Sequence, residues 1–172
     1  RGMFAFAIVD KRNATLFLAR DRVGEKPLFY FRAGALFAFA SELKALRTLK
    51  ECPSAVDQEA LHHFLSLGYI PAPLTGVSGV RCLGAGRSVT VSLKNGEERI
   101  NRYWSLTYAP NNKRSIREWK ACVLETLTEA VRLRMIADVP VGPFLSGGLD
   151  SSVVVALMSR AHPRPGKTFT IG

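Results

Sequence analysis

Residues 139–157 hold the feature that most restricts what this chain can become. An apolar stretch, Val139-Pro140-Val141-Gly142-Pro143-Phe144-Leu145, meets Ser146-Gly147-Gly148-Leu149-Asp150-Ser151-Ser152, and an apolar run then resumes at Val153. This succession predicts a buried strand, a tight loop and a helix over residues 152–161. Gly147 and Gly148 let the backbone approach a ligand with no Cβ in the way, and the unpaired N–H groups of a helix start favour negative charge. Phosphate fits such a place. A Walker loop would carry a lysine directly before the Ser/Thr, whereas Asp150 precedes Ser151 here. An acid at that position either caps the helix or meets phosphate through a divalent cation such as Mg²⁺, while the hydroxyls of Ser146, Ser151 and Ser152 donate to oxygens.

Residues 167–171, Lys-Thr-Phe-Thr-Ile, read as a second strand parallel to the first. Ligands of such sheets sit beyond the carboxyl ends of the strands, which groups residues 146–152 with Ile171 and Gly172. Ahead of the loop, Ser115-Ile116-Arg117-Glu118 is a capping box. Its helix runs to about Ala137, with Ile116, Trp119, Val123, Leu127, Val131 and Met135 as an apolar stripe facing the strand that follows.

Residues 3–40 alternate apolar and small residues in four runs and predict an antiparallel meander, with a hairpin turn at residues 10–14 and turn chemistry over residues 20–27. Ser41 is the N-cap expected for a short helix, and Asp57 opens a second one that Gly68 ends. Leu61, Phe64, Leu65 and Leu67 supply its apolar face. Residues 88–93 and 99–104 form a hairpin around Asn95-Gly96, a type I′ signal. The exposed, Pro- and Asn-rich residues 108–114 divide the chain into 1–107 and 108–172. Arg20, Asp21 and Arg22 are expected to be structural, as an ion-pair network.

Net charge is +10, but Lys and Arg are spread along the chain, so a solvated basic surface is expected rather than a nucleic-acid partner. No apolar run reaches the ~18 residues of a membrane helix, and the first residues lack a secretory pattern; a cytoplasmic location is expected. Cys52, Cys82 and Cys122 have neither disulfide nor zinc spacing and are expected as free, buried thiols. The chain opens mid-pattern at Arg1 and stops just after a strand, so it reads as an internal fragment.

Residues 146–152, with Val139-Pro140-Val141-Gly142 before them, resemble the pyrophosphate loop of the N-type ATP pyrophosphatases, and of glutamine-hydrolysing asparagine synthetases in particular. Gly2-Met3-Phe4-Ala5-Phe6-Ala7, the segment from Ala19-Arg20-Asp21-Arg22-Val23-Gly24 to Leu28-Phe29-Tyr30, and Phe39-Ala40-Ser41-Glu42-Leu43-Lys44 resemble the second half of a class II glutamine amidotransferase domain. The resemblance implies an α+β portion of N-terminal-nucleophile type, in antiparallel sheet layers, over residues 1–107. Residues 108–172 would then begin an α/β parallel-sheet adenine nucleotide-binding domain.

The function implied is a carbon-nitrogen ligase that adenylates aspartate to β-aspartyl-AMP with release of pyrophosphate and then transfers ammonia from glutamine. Its substrates would be ATP, aspartate and glutamine, its cofactors ATP and Mg²⁺, and a homodimer stays open. Leu145, Ser146, Gly147, Gly148, Leu149, Asp150, Ser151, Ser152 and Ile171 would contact ATP, with Asp150 on Mg²⁺. No glutaminase residue is present: that family uses an N-terminal Cys whose own amine is the base, and none of the three cysteines is so placed. The fragment alone is expected to be inactive. Relatives acting on peptide, polysaccharide or lactam-pathway acceptors, and tRNA-modifying ATP pyrophosphatases, are the alternatives. Where the family usually has Pro-Pro-Gly-His after the strand near Cys82, this chain has Gly84-Ala85-Gly86-Arg87.

Overall fold

The computed structural model describes residues 2–110, 113–161 and 167–170. They form two compact units, Arg1–Thr107 and Tyr108–Gly172.

In the first unit the four early runs become β1 (Ala5–Asp10), β2 (Thr15–Arg20), β3 (Phe29–Ala33) and β4 (Leu36–Ala40). They do not make one meander. With β5 (Val80–Cys82), β6 (Arg87–Ser92) and β7 (Glu98–Arg102), they divide into two antiparallel sheets, ordered β1-β2-β6-β7 and β4-β3-β5. The cause lies at Asp21. Its carboxylate accepts from the backbone N–H groups of Glu25 and Lys26 at 2.9 Å and of Val23 and Phe4 at 3.3 Å, which folds residues 21–27 into a knot. The chain therefore leaves β2 without pairing onto it, and β6 takes the place beside β2 in the register Leu18↔Val89.

Alternation then builds two cores from one strand. Tyr30 packs with Leu16, Leu18, Leu28, Leu83, Val89 and Val91 between the sheets, while its neighbour Phe31 points the other way, onto Ala38, Leu46, Val77 and Val80. Leu18 and Val89 are fully buried, each worth about 1.5–3 kcal/mol against exposure. Leu46 belongs to α1 (Leu43–Leu46), whose N-cap position is held by Glu42 with no side-chain cap, not by Ser41. Glu42 instead pairs with Lys44 at 2.6 Å.

Asp57 caps α2 (Gln58–Leu67), accepting from the Ala60 N–H, and Gly68 closes it in the left-handed region at φ 77°. The buried residue of that helix is Ala60, and the expected apolar face at Leu61, Phe64, Leu65 and Leu67 is exposed. The β6–β7 hairpin is not closed by a type I′ turn. Gly96 has φ 71° but Asn95 has no positive φ, and Gly96 donates to the Ser92 carbonyl across a longer loop.

The second unit contains α3 (Ile116–Arg134) and α4 (Leu149–Ala161). Both halves of the capping box are formed, Glu118 N–H to Ser115 Oγ and Ser115 N–H to the Glu118 carboxylate. Only Val131 of the α3 stripe is buried, and the helix packs on α4. The strand expected over residues 139–145 is reduced to one parallel bridge, Phe144↔Phe169, with Leu145 donating to the Phe169 carbonyl and Phe169 to that of Pro143. Pro140 and Pro143 have no N–H to extend a ladder. Among the described residues no helix is long and apolar enough to cross a membrane. The three thiols are free but half-buried.

Candidate functional site

The turn between the parallel bridge and α4 is shaped by two glycines. Gly147 takes φ 79°, and a Cβ placed there would meet nothing within 4 Å, so the residue serves the backbone conformation and stands beside open space. Gly148 is the first acceptor of the helix, its carbonyl receiving the Ser152 N–H at 3.1 Å. Helix α4 thus begins at Leu149, three residues earlier than the sequence pattern implies, and Asp150 lies in its first turn.

Among the described residues nothing accepts from the N–H groups of Gly147, Gly148, Leu149, Asp150 or Ser151. Apart from the half-buried Ser151, these residues are exposed. Five consecutive donors at a helix start form a positive cradle for an oxyanion. The Ser146 N–H is outside it, because it donates to Ser151 Oγ at 3.3 Å.

The hydroxyls expected to meet phosphate are turned inward. Ser151 Oγ and Ser152 Oγ reach the Gly148 carbonyl at 3.1 and 2.7 Å, and Ser146 Oγ lies 3.1 Å from Ser151 Oγ. Each would have to rotate to donate to an anion. Asp150 does not cap the helix: no N–H donates to its carboxylate among the described residues. It is exposed, so its oxygens face solvent beside the cradle. No group of three or more His, Cys, Asp or Glu is gathered for a metal among the described residues.

Leu145 joins the site through its backbone, its carbonyl accepting from Thr170 Oγ1 at 2.6 Å. Ile171, expected beside it, lies outside the described residues. Two contributors were missed in the sequence. Thr170 ties the second extended segment to the residue before the loop. Gly142 allows the segments to approach, since a Cβ there would fall 2.5 Å from the Phe169 ring and 2.7 Å from the Lys167 carbonyl. A glycine set between Val141 and Pro143 was the available signal. A separate cavity of about 540 Å³, lined by Met135, Val141, Val155, Met158 and Phe169 among others, includes none of residues 145–152.

In the first unit, Arg20, Asp21 and Arg22 form no ion-pair network among the described residues. Arg20 donates to the carbonyls of Gly24, Lys26 and Leu83 and to Cys82 Sγ, while Asp21 is taken up by backbone N–H groups. Burial pushes the Asp21 carboxyl up, but those N–H groups outweigh it and hold it below the ordinary value. Tyr103 donates its hydroxyl to the Arg20 carbonyl, within the same unit.

Layered antiparallel sheets with few helices fit an amidotransferase domain of the N-terminal-nucleophile type, and residues 1–104 match the family model for the glutamine amidotransferase domain. The chain belongs to that family. Residues 122–172 match the asparagine synthase model. Over 99% of its length the chain is 40% identical to a putative glutamine-hydrolysing asparagine synthetase of Methanocaldococcus jannaschii, covering 34% of that protein. It is 37% and 36% identical to asparagine synthetases 3 and 1 of Bacillus subtilis, over 96% and 100% of the chain and 27% of each relative. The chain thus spans about a third or less of the curated relatives it matches.

Proposed function

We propose that the protein containing this chain is an ATP-dependent, glutamine-hydrolysing asparagine synthetase. On this reading residues 1–107 are the C-terminal part of its amidotransferase domain. Residues 108–172 are the start of its α/β ATP pyrophosphatase domain. The observation that carries the reading is the cradle of five acceptor-free N–H groups at residues 147–151, inside the segment that matches the asparagine synthase model.

The residues present fit a triphosphate. Gly147 leaves room for phosphate to approach the backbone, and the N–H groups of residues 147–151 can hold charge that grows as the α–β phosphate bond opens. Ser146, Ser151 and Ser152 would add hydroxyl donors once turned outward, and Leu145 and Ile171 would flank the adenosine. Asp150 fits a shared Mg²⁺, a cation that keeps most of its waters and takes one or two carboxylates beside phosphate oxygens. The bound cation would neutralise phosphate charge; without it Asp150 would repel the nucleotide. The chain then supplies binding and orientation, with no nucleophile of its own needed for adenylation. Aspartate as acceptor rests on the relatives' names alone. A tRNA-modifying reading gives the sheets of the first unit no role.

Equilibrium binding of Mg-ATP to the full-length protein tests this. Asp150→Ala is expected to weaken Mg-ATP at least about tenfold, roughly 1.4 kcal/mol, while leaving metal-free ATP less affected. Equal Mg-ATP affinity in the two proteins would count against it.

A further inference from the structure

Two arginines of the first unit face each other across neighbouring strands. Arg87 and Arg102 are directly opposed on β6 and β7. The ladder bonds Ser92 N–H to Glu97 O and Tyr103 N–H to Gly86 O place the hydrogen-bonded pairs at the even residues of β6. Arg87↔Arg102 is therefore a non-hydrogen-bonded pair, the type in which opposed side chains come closest, and like charges in that position repel.

Among the described residues neither guanidinium has a carboxylate within salt-bridge reach. Glu98, the acid on the same face of β7, lies 3.9 Å from Arg32, and Asp21 is committed to backbone N–H groups. The pair shares its face with Val89 and Val91 of the core, and Arg102 is exposed. Arg87 is half-buried and passes close to Gly84, its Cδ and Nε 3.0 Å from where a Cβ there would stand. Two arginines opposed at this register, neither with a carboxylate beside it among the described residues, can together receive an oxyanion that offers each guanidinium a pair of oxygens.

We infer that Arg87 and Arg102 bind a multivalent oxyanion of the phosphate class at the end of the inter-sheet core. The test titrates the full chain with inorganic phosphate against sodium chloride at equal ionic strength, following the arginine Nε–H resonances and the unfolding midpoint. Phosphate is expected to shift the Arg87 and Arg102 signals and raise the midpoint beyond chloride. Arg87→Met or Arg102→Met should weaken phosphate at least about tenfold. In phosphate-free buffer Arg102→Met should be no less stable than the wild type, because it removes repulsion. Arg102→Glu, on the exposed edge strand, should abolish the response and raise phosphate-free stability, and it keeps the test open where Arg87→Met does not fold. A phosphate response equal to that of chloride, or one that survives both methionine variants, overturns the inference. Neither result bears on Mg-ATP at Asp150.

Discussion

At the residue scale, two positions shape the loops of the two units. Gly147 sits at φ 79° with empty space around it, so Gly147→Ala introduces backbone strain without a clash. A cost of about 1–2 kcal/mol is expected for an L-residue there, read as a lower unfolding midpoint together with weaker ATP binding. Asp21, 1% exposed, is held ionised by the N–H groups of the knot. Because its folded pKa lies below the ordinary 3.8, its contribution is complete above that value and is lost as pH falls through the lower folded value. Asp21→Asn sets an amide donor against backbone donors and should cost about 1–3 kcal/mol near neutrality. Denaturant titrations of both proteins should show that difference shrinking below about pH 4; a difference independent of pH would deny the carboxylate its role.

At the element scale, helix α3 depends on its first turn, since among the buried residues its stripe contributes only Val131. Ser115→Ala should cost about 1 kcal/mol and speed amide exchange over the first turn of the helix while leaving α4 unchanged. Much of this level was legible in the sequence, because caps are local: Asp57, Gly68 and Ser115 act within four residues of themselves. Strand alternation was equally local, and placed β1 to β4. What escaped depends on partners far along the chain. Nothing near residue 20 announces that β6 will take the slot beside β2, or that Asp21 will collect N–H groups from residues 4 to 26. The start of α4 was misjudged because Ser152 looks like an opening residue, whereas the Gly148 carbonyl had already begun the helix. The loop itself was visible as a string of residue types; the inward turn of its hydroxyls was not, since that is a choice of rotamer.

At the scale of the whole molecule, two units with different architectures follow one another in the order that the amidotransferase and asparagine synthase models match. Sheets packed on two cores suit a rigid frame, while a turn into a helix with open N–H groups suits a charged ligand. The proposed ATP binding rests on that second feature. Its most direct test follows the amide signals of residues 147–151 as Mg-ATP is added to the full-length protein. These five should move together and saturate, with Ser146, whose N–H is already bonded to Ser151, moving least. Saturable binding that leaves all five unmoved would contradict the assignment of this turn to the phosphate tail.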